Sequence, residues 1–528
     1  MKKLLSKANK RISFGSAASL LIVAALASQS LGFLRNRLIS TNFTAVSPGS
    51  SDAFFAAFQI PDFFFYTIAA GALGVAFIPI FADKLESGNT RLAWELTSSL
   101  LNFLVLAMGA VSILLFIFAK PLIHLIAPDL PEVHLAQAVL IMQLVSLNPL
   151  LFALSGLLTS VQQATGRFFF YAAAPIVYNL SIIASIFIFK DNIGIVGLGI
   201  GALVGAILQL IVAIIGMLGS EFKYHRRINW HTSGFREVMR RLPARSLDQG
   251  VDQVNSIVET NRAQTLGLGA ISSYNYALTL MNVPVMLLGN SIATAAFPKL
   301  VDRLAKKQPD QFRRDFIHIL RGMIWVTAPV LVVCYFCRAY LARMVFGRVA
   351  PAVALIFGYL IFAILFRIIY SMMSRWFYAQ KDTKTPLYVS LFAIGLNVYL
   401  AFTLARPDSY GVAGLALAQS IVAIFEVFVL TIIIFARDRK IFDKFFQQGL
   451  LRIISVTGFS MTATFIMISL LPLNATDRGF VTLFFKLGAI SFVTFVVHVS
   501  FSLMLGLQEA RFVVSQTKRF IYRPVKIQ

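Results

Sequence analysis

The chain alternates long apolar runs with short polar connections. A helix needs about 20 apolar residues to cross a bilayer. By that measure about fourteen segments qualify, near 14–41, 53–83, 92–119, 135–162, 168–189, 194–219, 238–265, 271–298, 314–337, 351–379, 385–404, 411–436, 449–472 and 480–507. Several exceed the minimum, which leaves room for tilt or protrusion. The seventh is polar and the second contains Pro61. The pattern predicts an all-α integral membrane protein.

The second half of the chain repeats the first. Gly194-Ile-Val-Gly-Leu-Gly-Ile returns as Gly411-Val-Ala-Gly-Leu-Ala-Leu, 217 positions later. Phe77-Ile-Pro79-Ile-Phe-Ala-Asp83-Lys84-Leu85 returns as Phe297-Pro298-Lys-Leu-Val-Asp302-Arg303-Leu304, with Pro79 and Pro298 219 apart, and the polar tripeptide around Gln163 recurs around Gln380. Spans 1–6 therefore pair with spans 7–12. Six is even, so both lobes face the same way, related by an axis along the membrane normal, as in transporters whose bundles rock to alternate access. Spans 13 and 14 have no counterpart. The expected organisation is a segment 1–13, a lobe 14–219, a basic loop 220–237, a lobe 238–436, the pair of spans within 437–507, and a basic tail 508–528.

Composition agrees. Hydrophobic residues make up 58% of the chain and charged residues 13%, against about 25% charged in soluble domains. Mean hydropathy is +0.77. The net charge of +24 is not a nucleic-acid footprint, because the basic residues gather in alternate connections, as cytoplasmic loops require. Even-numbered connections carry Lys84, Arg91, Arg167, Lys223, Arg226, Arg227, Arg236, Arg240, Lys299, Arg303, Lys381 and Arg437, among others. Odd connections are sparse, apart from Arg338, Arg343 and Arg348 after span nine. Both termini are expected in the cytoplasm. The basic start at Met1 resembles a signal peptide, but the apolar run behind it is too long for one, so it reads as a retained first span.

Ionisable residues inside spans are costly and mark cavities or partners. Span seven holds Asp248, Asp252, Asn255, Glu259 and Arg262. At 100° per residue these share an arc of roughly 80° and run about 20 Å along the helix. The stripe is expected to line water or protein, either as a cavity wall or as a satisfied seam. Arg35 ends the first span and Arg367 lies mid-way along the tenth; Asp62 and Glu426 are weaker candidates. Asn148, Asn179 and Asn397 are candidates for satisfying backbone groups freed at bends. Cys334 and Cys337 lie in an apolar stretch and read as small buried hydrophobes. No Walker loop, H-E-x-x-H or G-x-S-x-G is present, which points away from an enzyme. No metal site is expected, and drive is expected from Na+ or H+ coupling, the membrane potential or substrate supply.

Several segments resemble the MurJ/MviN lipid II flippases. Leu31-Gly32-Phe33-Leu34-Arg35, Asp52-Ala-Phe-Phe-Ala-Ala-Phe-Gln-Ile-Pro61 and Ala76-Phe-Ile-Pro79 are similar to the family's opening. Gly269-Ala-Ile-Ser-Ser-Tyr-Asn-Tyr276-Ala and Arg375-Trp-Phe-Tyr378-Ala-Gln-Lys-Asp382-Thr-Lys-Thr-Pro386 match in the second lobe. The resemblance covers roughly 14–440 and implies the MOP exporter fold shared with MATE transporters. It also implies export of the undecaprenyl-linked peptidoglycan precursor across a bacterial inner membrane. It makes Arg35 a ligand of the substrate's pyrophosphate, with Asp52 beside it in the site. Other family arginines are absent here: Gln29, Phe65 or Tyr66, and Thr279 stand in their places. Arg262 and Arg367 are expected to compensate. Glu259, Asn397 and Gln419 fall where some members bind sodium, but the second acid of that site is Ala401 here.

The expectation is a lipid II flippase working by alternating access. The alternatives are a flippase for another polyprenyl-linked oligosaccharide, a MATE-type cation or drug antiporter, and a transport-inactive scaffold. Expected partners are the glycolipid substrate, membrane lipids, and cell-wall synthesis or division proteins.

Overall fold

The structure is a computed structural model. It describes residues 14–43, 50–475, 477 and 479–511, and within these the side chains of all but 14–19, 22, 69–76, 241, 243–249 and 348. The segment 1–13 and most of the basic tail lie outside the described residues.

Every predicted span is helical, and no strand occurs among the described residues. The first half comprises α1 (Phe14–Asn42), α2 (Ser51–Phe64), α3 (Gly71–Glu86), α4 (Thr90–Ile117), α5 (Ala119–Ile126), α6 (Glu132–Val145), α7 (Asn148–Ala164), α8 (Phe168–Phe189), α9 (Val196–Met217) and α10 (Ser233–Gln264). The second comprises α11 (Ala270–Pro284), α12 (Ser291–Ala305), α13 (Pro309–Phe336), α14 (Arg338–Phe346), α15 (Ala350–Tyr359), α16 (Ile361–Ala379), α17 (Lys384–Leu404), α18 (Ala413–Arg437), α19 (Lys444–Leu470) and α20 (Phe480–Met504). Among the described residues, 11 helices are long and apolar enough to cross a membrane. The other expected spans, near 14–41, 53–83 and 238–265, are helical as α1, α2 with α3, and α10.

The repeat extends to irregular backbone. Six π-helical residues, Phe65–Ala70, join α2 to α3, and six more, Val285–Asn290, join α11 to α12. Val285 lies 220 positions after Phe65, close to the offset of the sequence matches. Pro61 lies inside α2 four residues before the first of these segments, and Pro284 is the last residue of α11, directly before the second; a proline removes a backbone donor. The glycine motif has an equally physical basis. Gly194 and Gly411 adopt φ of +67° and +55°, which favours glycine. A Cβ on Gly197 would lie 2.2 Å from Phe189 Cβ, and one on Gly414 would lie 2.3 Å from the Leu404 carbonyl oxygen. Each motif makes a tight turn and then lets two helices touch, the small-residue packing that lipid-embedded helices use.

By packing, the chain divides into two compact units, Met1–Ser272 and Ser273–Gln528. In the first, α8 packs on α1 and α9, and the core Phe77, Phe81, Trp94, Leu104 and Leu157 joins α3, α4 and α7. Helix α10, which the repeat counts as the start of the second lobe, packs along α2, the π segment and α3. Sequence duplication and packing therefore place this helix in different halves.

In the second unit, α16, α17 and α18 form one group while α13 carries α19 and α20. Spans 13 and 14, without counterpart in the repeat, are tied down along their length. The buried Arg321 on α13 pairs with Glu509 at 2.7 Å and donates to the Phe445 carbonyl at 3.1 Å. Gly449 makes room for it: a Cβ there would lie 2.2 Å from the guanidinium carbon. Trp325 Nε1 donates to Ser502 at 2.9 Å, and Thr464 bonds Thr494 at 2.7 Å. At the far end, Arg343 donates to the Asn474 carbonyl at 2.7 Å, and Arg338 stacks over Tyr335. Two of the arginines that depart from the loop-charge pattern are thus engaged in protein contacts. Cys334 and Cys337 are buried, unbridged thiols.

Candidate functional site

The first unit builds a polar site around Arg35. This residue lies two turns from the end of α1, half-buried, where α1 crosses α8. Arg35 Nη1 donates to Asn179 Oδ1 at 3.2 Å, and Nε donates to Asn36 Oδ1 at 3.3 Å. The Asn179 amide is oriented from its other end, because Nδ2 donates to Ser28 Oγ at 3.4 Å and to the Pro175 carbonyl at 3.2 Å. Its oxygen is therefore turned to the guanidinium. Asn179, expected to serve freed backbone, serves Arg35 as well. Asp62, Tyr66 and Tyr178 lie within electrostatic range of Arg35, but Asp62 makes no ion-pair contact with it.

Asp52 is buried at 1% exposure and is committed to backbone. Its carboxylate accepts from the Gly269 N–H at 2.6 Å and the Ser272 N–H at 2.8 Å, both within the first unit. A carboxylate at the first amides of a helix satisfies donors that lack an intrahelical partner. This geometry makes Asp52 an anchor of the chain entering α11.

On α10, the stripe is graded. Asp252 is exposed, Asn255 half-buried and Glu259 buried. Asn255 Nδ2 donates to Glu259 Oε1 at 3.1 Å, and Ser256 Oγ donates to Gln59 Oε1 on α2 at 3.1 Å. Asp248 lies on the same helix, with its side chain outside the described set. Arg262 occupies the last turn of α10, beside Asn261, whose amide donates to the Leu125 and Ile126 carbonyls at the end of α5. It is a helix-end residue, two positions from Gln264.

The second unit contains a comparable arrangement. Arg367, half-buried in the middle of α16, donates from Nη2 to Gln419 Oε1 on α18. Among the described residues, no carboxylate is in ion-pair contact with Arg367. Two turns along α18 from Gln419, Glu426 is buried and accepts from Ser390 at 3.3 Å; Ser390 in turn bonds Tyr370 at 2.8 Å. Asn397, two turns from Ser390 on α17, is also buried. Of the residues considered for a sodium site, Glu259 belongs to the first unit and Asn397 and Gln419 to the second. Gln419 spends its oxygen on Arg367. Among the described residues, no group of three His, Cys, Asp or Glu side chains stands ready for a metal ion.

Each unit therefore holds a guanidinium inside a span and orients it with a neutral carboxamide. A carboxamide oxygen positions the guanidinium through a hydrogen bond without adding an anion of its own. The pairing was hidden in the sequence because residues 144 and 52 positions apart meet only through packing. A duplicated helical bundle with such charges inside its spans is a membrane transporter.

Comparison with known proteins sharpens the class. The family described as "Lipid II flippase MurJ" matches residues 47–489. The chain belongs to that family, whose members are flippases and not enzymes. A relative in Borreliella burgdorferi, a probable lipid II flippase MurJ, is 24% identical over 428 residues, 80% of this chain and 83% of the relative. Another in Buchnera aphidicola subsp. Acyrthosiphon pisum is 26% identical over 406 residues, 75% of this chain and 79% of the relative. Among solved structures, lipid II flippase MurJ in its inward closed conformation superposes with TM-score 0.74 at 22% identity, covering 90% of this chain and 98% of the other. An inward-facing multidrug resistance MATE family transporter of the MOP superfamily superposes at TM-score 0.64 and 13% identity, covering 79% and 98%. The expected all-α MOP architecture is borne out.

Proposed function

We propose that this chain carries the undecaprenyl-linked precursor lipid II from the inner to the outer leaflet of the bacterial inner membrane, by alternating access, with both termini in the cytoplasm. Two arginines inside spans support this reading, Arg35 two turns from the end of α1 and Arg367 in the middle of α16, each hydrogen-bonded to a neutral amide oxygen. A diphosphate linker calls for positive charge held in place, and guanidinium supplies it in a planar fork. The polyprenyl tail stays in lipid while the head group passes through the protein. The family match favours this reading over a MATE-type antiporter, another polyprenyl-linked oligosaccharide or a transport-inactive scaffold. Without a nucleotide-binding motif, the work comes from Na+ or H+ coupling, the membrane potential or substrate supply.

The test is complementation of a conditional lipid II flippase depletion strain. Wild type is expected to restore growth, and Arg35→Ala and Arg367→Ala, present in the membrane at equal levels, are expected to fail. Full rescue by both variants would remove the arginines from the mechanism.

A further inference from the structure

The connection 218–232 between α9 and α10 is the most basic in the chain, and it is a built surface. Its backbone is pinned to α4: the His225 N–H donates to Ser98 Oγ at 3.2 Å, the Asn229 N–H donates to Ser99 Oγ at 3.1 Å, and Asn102 Nδ2 donates to the His225 carbonyl at 2.9 Å. Tyr224 OH closes the set on Asn102 Oδ1 at 2.5 Å. Trp230 rests edge-on against Phe103 and Phe235.

Helix α4 sets the height of this surface. It has 28 residues, more than the roughly 20 needed to cross the hydrocarbon core. Counting back about 20 residues from Ile117 at 1.5 Å per residue puts the opposite edge of the core near residue 98. Ser98, Ser99 and Asn102 are the residues that hold the connection, so it lies along the membrane surface. There it presents two half-exposed aromatics, Tyr224 and Trp230, the residue types that favour the headgroup level. Lys223, Arg226 and Arg227 are exposed beside them and, among the described residues, make no side-chain hydrogen bond or ion pair. Several cations of the second unit are paired with acids: Lys299 and Arg303 with Asp315, Arg313 with Asp438, and Arg437 with Asp382.

We propose that the connection 218–232 is a docking platform for the head groups of anionic phospholipids in the inner leaflet. The chemistry is complementary: Lys223, Arg226 and Arg227 at headgroup height outnumber the one acid of the connection, Glu221, which pairs with none of them, and interfacial aromatics flank them. The proposal rests on the cytoplasmic orientation proposed above and is independent of the transported substrate.

The experiment uses the full chain purified in detergent and offered phosphatidylglycerol or phosphatidylcholine, with retained lipid counted by native mass spectrometry. Three proteins are compared: wild type, the Lys223→Gln/Arg226→Gln/Arg227→Gln variant, and a charge-matched control, Lys307→Gln/Arg314→Gln/Lys440→Gln. Thermal melting confirms that all three are folded. The expected result is a preference for phosphatidylglycerol in wild type and control that falls about tenfold in the loop variant. An unchanged loop variant, or an equal loss in the control, would overturn the proposal. Either outcome leaves the lipid II reading untouched, because no transport is measured.

Discussion

Arg35 and Arg367 answer the same problem in different surroundings. Both are half-buried inside a span and both lean on a carboxamide oxygen, Asn179 in the first unit and Gln419 in the second. Arg35 also feels the carboxyl of Asp62, whereas no carboxylate contacts Arg367 among the described residues. The difference separates two tasks. Arg367 presents a full positive charge, while Arg35 presents one that Asp62 can temper. Low local dielectric makes such differences larger than they would be in water.

Making the neutral partners acidic is expected to have the largest effect. Asn179→Asp and Gln419→Glu keep the size and reach of the side chain but pair each arginine with an anion. Each is expected to weaken lipid II transport by at least about tenfold, comparable to losing a charge-assisted hydrogen bond, measured in proteoliposomes at matched protein levels. If both variants transport normally, the arginines do not need their charge free. A smaller change sharpens the contrast. Asp62→Asn is expected to raise the affinity for the anionic substrate a few-fold by releasing Arg35 from its neighbour, and a fall in affinity would make Asp62 a substrate contact instead.

The smallest effect lies in the loop after span ten. Burial opposes ionisation of Asp382, but hydrogen bonds from the Thr385 side chain and backbone and from Arg437 outweigh it and lower its pKa to about 2. The folded value lies below the ordinary one of about 3.9, so its contribution is complete at neutral pH. It is lost as pH falls from about 4 toward 2. Asp382→Asn is expected to lower the melting temperature in detergent by a few degrees at pH 7, with the gap from wild type closing in acid. A gap that persists unchanged at pH 2 would show that the Asp382 charge is not responsible.

Much of the architecture was legible in the pattern of the chain. Apolar runs located the helices to within a few residues, and the glycine motifs betrayed the duplication because each glycine answers a steric need in its own hairpin. The π segments were not legible, since a shift in hydrogen-bond register leaves hydropathy unchanged. Nor was the packing of α10 against the first unit, which its polar stripe does not specify. At the site, Arg35 and Arg367 stood out as charges in the wrong solvent. Their partners did not: Asn179 and Gln419 are ordinary polar residues until the helices bring them to the guanidinium. Asp52 shows the opposite limit. Its place in a family motif suggested substrate, and the structure occupies both its oxygens with backbone amides.

Two amide-held arginines, Arg35 and Arg367, are proposed to bind the diphosphate of lipid II. The most direct measurement is the affinity of the purified full chain for lipid II, comparing wild type with Arg35→Ala and Arg367→Ala. A loss of about tenfold or more in each variant is predicted, with undecaprenol, which lacks the diphosphate, binding all three proteins alike. Equal lipid II affinity across the three proteins would contradict the account.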